Sequence, residues 1–209
     1  MSSETALILR DHNLAPGLAE LGAGSAANND LSDYRKEIVL RDGSPAVIRP
    51  IRSEDKGALV EFHSRLSQDT RFLRYHYSKG DLTSGDLKNF CDVDYCGTLA
   101  LVAEAEREGK MEMIGVGRFS RLPLDHTAEV AFVVQDSEQN KGIGTQLLKH
   151  LSILACERGI YYFFGEVLRQ NARMLSIFRK SDPAMKQEID GISTCTITLS
   201  TVEAMRHSP

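Results

Sequence analysis

The chain has 209 residues, of which 42% are hydrophobic and 26% charged, and its formal net charge at pH 7 is −4. This length and composition predict a globular protein with a substantial buried core. Because the sequence contains neither a stripe of Lys and Arg nor an apolar run of about 20 residues, no nucleic-acid partner and no membrane span are expected.

The first 36 residues show no sustained hydrophobic period and are predicted to be a tail or linker, partly flexible. The domain proper is predicted to occupy residues 37–209. The N-terminus carries an apolar patch of only four residues. That patch is too short for a secretory signal, so a cytoplasmic location is expected.

The domain is predicted to begin with two strands, at residues 37–40 and 46–52, joined by a hairpin turn at "RDGS". A helix follows, in which Leu59, Phe62 and Leu66 recur at helical spacing. The segments "DTRFLRYHY" and "TSGDLKNFCDV" are predicted to be two further short helices.

The second half of the domain is predicted to alternate strands and helices. The β-forming runs "GTLALVAEAE" and "MEMIGVGRFSRL" indicate a hairpin, and "TAEVAFVV" a third strand. A helix opens at Gly142 and places Ile143, Leu147, Leu151 and Leu154 on one face. The strand "IYYFFGEV", the helix "NARMLSIFRK" and the strand "STCTITLST" complete an α/β domain with a mixed sheet.

The segment "QNKGIG" lies between the strand "AEVAFVV" and this amphipathic helix, and several kinds of phosphate loop have to be considered for it. A triphosphate loop requires Lys and then Ser or Thr after its second glycine, but Thr145 and Gln146 follow Gly144. In a dinucleotide fingerprint Glu166 would be the ribose-binding acid, but Leu147 stands at the third glycine position. A glycine-rich turn without a ligand is the remaining alternative.

The hexapeptide, its flanking strand and helix, and Asn171 after the next strand together resemble the acyl-CoA-binding core of the GNAT N-acetyltransferase superfamily. The resemblance extends from about Ala46 to Leu199. It implies the GNAT fold, with a central, mostly antiparallel sheet splayed at the acyl-CoA site and helices on both faces.

The resemblance also implies where acetyl-CoA binds as co-substrate. Glycines and a helix N-terminus suit an anion, because backbone amides can approach it closely. The pyrophosphate would be held by the loop residues Gln139, Asn140, Lys141, Gly142, Ile143, Gly144 and Thr145. The pantetheine arm would pair with the strand edge at Phe132, Val133 and Val134. Asn171 and Phe178 on the following helix would complete the cofactor site.

Within the superfamily the sequence is similar to bacterial protein lysine acetyltransferase (Pat-like) domains, through segments such as "LRDGSPAVIRPIR", "LSQDTRFLRYHY" and "NARMLSIFRKS". This resemblance implies that Glu129 is the general base, and its neighbours Val130 and Phe132 would reduce the solvation of its carboxyl. The alternative is an ordinary exposed carboxylate at a strand end. Arg118 and Ser120 are candidates for the wall of the acceptor groove, and "RFLRYHY" for a lid over it.

Two positions depart from the superfamily pattern. Phe178 stands where many members have a Tyr that protonates the leaving thiolate, but a thiol with a pKa of roughly 8.5 leaves without such an acid. Asp182 and Pro183 replace a more usual Gly-Phe, and Asp182 could take a left-handed conformation there only at some cost.

The four cysteines, Cys91, Cys96, Cys156 and Cys195, are scattered. The spacing of the first two does not suit zinc, so no metal is expected, and buried thiols are predicted.

The predicted function is therefore direct transfer of an acetyl group from acetyl-CoA to a primary amine, with a protein lysine as the acceptor. A small-molecule amine acetyltransferase and a non-catalytic acyl-CoA-binding sensor are the alternatives. The sequence leaves the oligomeric state open.

Overall fold

The computed structural model describes residues 30–190 and 193–207. Its strands are β1 (Lys36–Val39), β2 (Pro45–Pro50), β3 (Thr98–Arg107), β4 (Lys110–Arg121), β5 (Thr127–Val134), β6 (Tyr162–Leu168), β7 (Lys186–Asp190) and β8 (Thr194–Ser200). Its helices are α1 (Lys56–Ser64), α2 (Gln68–Tyr75), α3 (Ser84–Cys91), α4 (Ile143–Glu157), α5 (Ala172–Ser181) and α6 (Thr201–His207), with 3₁₀ turns at Ser53–Asp55 and Asp136–Glu138.

The eight strands form one sheet in the order β1-β2-β3-β4-β5-β6-β8-β7. All neighbouring pairs are antiparallel except β5 and β6, which are parallel. The predicted mixed α/β architecture is confirmed. Two elements were not predicted: the polar edge strand β7, and α6, which follows β8 without a loop.

The sheet opens between β5 and β6. These strands pair at three positions only, from Thr127 opposite Tyr162 to Glu129 opposite Phe164. Beyond that point β5 continues to Val134 with β4 as its partner. The predicted splay is therefore confirmed, and among the described strands none pairs with the outer edge of the second half of β5.

Helices cover both faces of the sheet, as predicted. Along β3, Leu99 and Leu101 pack in one core with α4 and α5, whereas Ala100 and Val102 pack in a second core with α1 and α3. This alternation follows from the period of two in a strand, which sends successive side chains to opposite faces.

The predicted apolar face of α4 is confirmed. Ile143, Leu147, Leu151 and Leu154 are each at most 1% exposed. Burial of one such side chain stabilises the fold by roughly 1.5–3 kcal/mol, so this face fixes the helix, and with it the loop that precedes it, against the sheet. Within the described residues, no helix has the length and apolar content needed to span a membrane.

Asp182 does not take the left-handed conformation that its place in the sequence allowed. Its backbone is extended, with φ −142° and ψ 95°, because its buried carboxylate accepts hydrogen bonds from the amides of Ala184 at 3.0 Å and Ser200 at 2.8 Å. These bonds end α5 and tie it to the start of α6.

The cysteines are not uniformly buried. Cys91 and Cys195 are buried as predicted, but Cys156 is only partly buried and Cys96 is exposed. Across residues 30–190 and 193–207, no group of three or more potential metal ligands is found.

A hydrogen bond joins the segment before β1 to α4. The Tyr34 hydroxyl lies 2.9 Å from Nδ1 of His150, and Leu31 and Tyr34 pack against the core. Burial lowers the pKa of His150 to about 4 and raises the pKa of Tyr34 to about 12. The division of the chain at residue 36 stays a prediction, since residues 1–29 lie outside the described part.

We predict that burial of His150 makes stability fall in mild acid. The folded-state pKa of His150 lies below the ordinary value of 6.5, so the unfolded chain binds the proton first and stability is lost as pH falls from 6.5 towards 4. Between pH 7 and 4.5 the wild type should lose about 1–2 kcal/mol more unfolding free energy than His150→Asn, allowing for partial exposure of the ring. Urea unfolding measures this, and identical pH slopes would contradict it.

Candidate active site

Two clefts meet over β5. The larger, about 400 Å³, lies between the end of β5, residues 139–145 and α5, and the smaller, about 220 Å³, surrounds Glu129. Five residues line both clefts: Leu73, Arg74, Phe132, Asn171 and Met174. The two spaces are therefore ends of one continuous groove along the open edge of β5.

The loop before α4 has the backbone of an anion-binding site. Asn140 and Gly142 adopt left-handed conformations, with φ of 67° and 92°, and α4 starts at Ile143. The first amides of a helix have no acceptor inside it, so those of Ile143, Gly144 and Thr145 are directed towards the larger cleft, which these residues line. Left-handed turns and a helix N-terminus together favour a bound anion.

Gly144 leaves room for the Ile177 side chain of α5. A Cβ atom at this position would lie 2.9 Å from Cδ1 of Ile177, closer than real side chains come. Glycine therefore allows α5 to form the opposite wall of the larger cleft.

Gln139 holds the loop in place through its side chain. Its Nε2 donates to the carbonyl of Val134 at 3.1 Å and to the Thr70 hydroxyl at 3.2 Å, and its Oε1 accepts from Arg173. One side chain thus connects the end of β5, α2 and α5 at the rim of the cleft.

Lys141 does not present a free ammonium to the cleft. Its Nζ lies 3.0 Å from Asp42 and 3.1 Å from Glu138, and hydrogen bonds to these carboxylates raise the pKa of Lys141. Glu138 is itself buried and bonded to Arg107 at 2.7 Å. The Lys141 side chain therefore braces the loop, and Lys141 does not itself line the larger cleft, unlike Gln139, Asn140 and Gly142.

Four other cations line the larger cleft, Arg41, Arg74, Arg173 and Lys180, and none of them was predicted as a ligand-binding residue. The Arg41 amide donates to the carbonyl of Lys141 at 3.0 Å, so the turn between β1 and β2 packs beside the loop. Its side chain passes within 3.5 Å of the Cβ position of Gly142. The segment "LRDGSP" was predicted as a hairpin and as part of the Pat-like resemblance, but no contact with the loop was predicted, because this contact spans about 100 residues of sequence.

The structure brings together the residues of β5 and α5 that were predicted to bind the coenzyme. Phe132, Val133 and Val134 line the larger cleft, and the Phe132 ring packs edge-on against that of Phe178, with 6.1 Å between centroids. Phe178 is 2% exposed and forms the floor of the smaller cleft. The side-chain oxygen of Asn171 accepts from the Met174 amide at 3.2 Å, which caps α5.

Glu129 lies where β5 and β6 diverge. Its side chain is exposed, on the face of the sheet that carries α1 to α3. Val130 and Phe132, which were expected to reduce the solvation of the Glu129 carboxyl, are buried on the opposite face of the sheet. That part of the prediction is wrong, because successive side chains of a strand point to opposite faces. Glu166, considered above as a ribose ligand, lines the same cleft from β6.

The groove thus offers an anion-binding loop at one end, an unpaired strand edge in the middle and an exposed carboxylate at the other end. An extended ligand with a phosphate at one end and an acyl group at the other would place its acyl group near Glu129. The carboxylate can then accept a proton from an incoming nucleophile.

Comparisons with known proteins agree with this arrangement. The profile of the acetyltransferase (GNAT) family matches residues 61–181, more than half of the chain. An acetyltransferase of Pseudomonas aeruginosa, PA5475, is 30% identical over 126 residues, 60% of this chain and 68% of its own. The acetyltransferase Pat of Mycolicibacterium smegmatis is 27% identical over 82% of this chain. The chain spans about half (51%) of the length of Pat.

The GNAT domain of S. lividans PAT, a solved structure, superimposes with a TM-score of 0.72 at 30% identity, covering 81% of this chain and 98% of that domain. The matched family region contains Glu129, the loop at residues 139–145 and α5. Family members take the acetyl group from acetyl-CoA, which is the co-substrate here as well. The chain belongs to the GNAT family of acetyltransferases.

Proposed function

We propose that this protein transfers the acetyl group of acetyl-CoA directly to the side-chain amine of a protein lysine, in the cytoplasm. The observation that carries the proposal is the position of Glu129 at the far end of the groove from the anion-binding loop. The groove connects this carboxylate to the loop along the free edge of β5.

The coenzyme is proposed to lie along this groove. Its pyrophosphate accepts hydrogen bonds from the amides of residues 139–145, with Arg41 and Arg173 as neighbouring cations. Its pantetheine arm pairs with the edge of β5 at Phe132, Val133 and Val134, as another strand would. Asn171 and the Phe178 ring then lie beside the thioester end.

Glu129 is proposed to be the general base. A lysine with a pKa of about 10.4 is protonated at neutral pH and has no lone pair with which to attack. Glu129 takes this proton directly or through water, and the neutral nitrogen attacks the thioester carbon. A backbone amide of Phe132, Val133 or Val134 stabilises the oxyanion of the tetrahedral intermediate.

Direct transfer is favoured over an acyl-enzyme. All four cysteines fall within the described residues, and none lines either cleft. The aromatic side chain of Phe178 has no proton to donate, so the coenzyme leaves as a thiolate, which its pKa of roughly 8.5 permits.

A protein lysine is favoured as the acceptor because Glu129 is exposed and its cleft is open to solvent. A lysine carried by a large partner reaches such a site with its extended side chain. The alternatives are acetylation of a small amine and non-catalytic sensing of acyl-CoA, and the tests below distinguish them from acetylation of a protein lysine.

We predict that Glu129→Gln lowers kcat about 100- to 10,000-fold near neutral pH, which is the usual contribution of a general base. The dissociation constant of acetyl-CoA should stay within about twofold, since the carboxylate is at the acceptor end. Steady-state acetylation of lysine peptides and of small amines, with calorimetry for the coenzyme, measures both.

Glu166→Gln is the matched control, because Glu166 is a second exposed carboxylate in the same cleft. Equal losses in the two variants, or full activity of Glu129→Gln at every pH, would exclude Glu129 as the base. Coenzyme binding with no acetylation of any amine would favour the sensor.

We predict that Gly142→Val weakens coenzyme A binding at least 10-fold. A β-branched residue at φ 92° is strained by roughly 1–2 kcal/mol, and relief of that strain turns the loop amides away from the phosphate. Calorimetry with coenzyme A measures the affinity.

Gly109→Val is the control, since Gly109 has a similar φ of 78° in the turn between β3 and β4, away from the cleft. It should lose comparable stability and keep its affinity. Unchanged affinity in Gly142→Val would contradict the role of the loop.

A further inference from the structure

Arg74 is a cation without a counter-ion at the junction of the two clefts. Within the described residues its guanidinium has no hydrogen bond and no ion pair, and it lies over the Tyr75 ring, 5.1 Å from the ring centroid. Although part of the residue reaches the surface, burial of the guanidinium lowers the pKa of Arg74.

The fold fixes the position of Arg74. It lies one helical turn after Thr70 on α2, and the Thr70 hydroxyl donates to Asp136 at 2.7 Å. Asp136 also accepts from the Ser67 hydroxyl at 2.6 Å. These bonds hold α2 beside the end of β5, so Arg74 is directed into the groove by a rigid helix.

A second arginine shares the space with Arg74. Arg118 on β4 and Arg74 line a cavity of about 30 Å³ that opens next to the Glu129 cleft. Arg118 stacks on the Phe90 ring at 5.0 Å and donates one hydrogen bond, at 3.2 Å, to the carbonyl of Asn89. Burial lowers the pKa of Arg118, and the positive charge of Arg74 lowers it further.

A third polar group in this cavity is unsatisfied. His63 is 3% exposed and lines the cavity, and its Nε2 has no hydrogen-bond partner among the described residues. Burial lowers the pKa of His63 and so favours the neutral ring. The cavity therefore contains two partly desolvated cations and an unpaired ring nitrogen, but no anion.

Glu129 does not neutralise the two arginines. The negative charge of Glu129 raises the pKa of both Arg74 and Arg118. In the described part of the chain, however, Glu129 forms an ion pair with neither arginine. Desolvated cations are costly without a partner, and guanidinium groups match the planar geometry of a carboxylate. A carboxylate brought in by a ligand satisfies the cavity and leaves Glu129 free.

The sheet places this cavity next to the proposed base. Arg118 is opposite Ala131 in the ladder between β4 and β5, and Ala131 is two residues after Glu129 on the same face. Diagonal neighbours of this kind are roughly 7–8 Å apart. A molecule with its amine at Glu129 can therefore place a neighbouring carboxylate between the arginines.

We propose that Arg74 and Arg118 form a carboxylate-binding subsite for the acceptor, so that the preferred substrate is an amine with a carboxylate beside it. This inference rests on the proposed function, because it extends the same acceptor site. The carboxylate is either that of an Asp or Glu next to the target lysine or the α-carboxylate of a free amino acid.

The test compares acceptors that differ in one carboxylate. Seven-residue peptides with one lysine carry Glu or Gln at each adjacent position, and free lysine is compared with lysinamide. For the wild type, kcat/KM should favour the carboxylate-bearing member of one series by about 10–100-fold, as expected for a charge-assisted hydrogen bond. The peptide series identifies an acidic protein segment, and the lysine series a free amino acid.

Arg74→Met and Arg118→Met should each reduce this preference to below about threefold, and Arg74→Lys should keep part of it. Lys110→Gln removes one positive charge from an exposed pair with Glu61, outside the clefts, and should retain the full preference. A wild-type preference near one in both series, or its retention in the arginine variants, would overturn the subsite. A rise in the KM of acetyl-CoA alone would assign Arg74 to the coenzyme instead and would also overturn it.

Failure of the proposed function is distinguishable from failure of the subsite. If no amine is acetylated, the enzyme proposal fails, but calorimetry still measures the carboxylate preference. Two pairs of ligands are compared: the ε-acetylated Glu and Gln peptides, and Nε-acetyl-lysine and its amide. Equal affinities in both pairs would then exclude the subsite, and tighter, arginine-dependent binding of the carboxylate form would support it.

Discussion

The short parallel contact between β5 and β6 determines where this protein can bind a ligand. Three paired positions end at Glu129, and beyond them no strand of the described residues pairs with the edge of β5 that faces the groove. Unpaired backbone groups that are shielded from water cost free energy comparable to a lost hydrogen bond, so a strand-like ligand arm is a favourable occupant. Glu129 is the last residue of β5 that pairs with β6, so it lies where the two strands begin to separate.

The rest of the structure stabilises this opening from both faces of the sheet. On one face, α4 is fixed by its leucines and delivers the amides of the loop to one end of the groove. On the other face, α2 is tied to the end of β5 through Asp136 and presents Arg74. Gln139 joins the two sides, since it bonds to Val134, Thr70 and Arg173.

The sequence predicted the parts of the fold that depend on local pattern. The apolar face of α4 and the strand alternation of β3 and β4 were readable because helices repeat every 3.6 residues and strands every two. The edge strand β7, "KQEID", was missed because its single apolar residue, Ile189, is exposed and gives no alternation. The extended backbone of Asp182 was not predicted, because it depends on the distant amide of Ser200.

At the candidate site, too, the sequence predicted the features that depend on local pattern and missed those that depend on distant contacts. The loop was found from its glycines, and Arg118 was named as a candidate for the acceptor groove. The pairing of Lys141 with Asp42, the position of Arg41 beside the loop and the meeting of Arg74 with Arg118 were not predicted, because they depend on contacts between segments far apart in sequence. Successive strand residues point to opposite faces of a sheet, so Glu129 and Val130 cannot share a face. The sequence analysis did not use this rule, and it therefore wrongly expected Val130 to shield the Glu129 carboxyl from water.

The central claim is that the coenzyme lies along the free edge of β5 with its pyrophosphate on the loop. Amide hydrogen exchange with and without coenzyme A, resolved by residue, tests it most directly. We expect slower exchange on binding for the amides at 132–134 that face away from β4 and for those at 139–145, with little change in β7 and β8. Protection confined to other segments, or none on β5, would contradict the account.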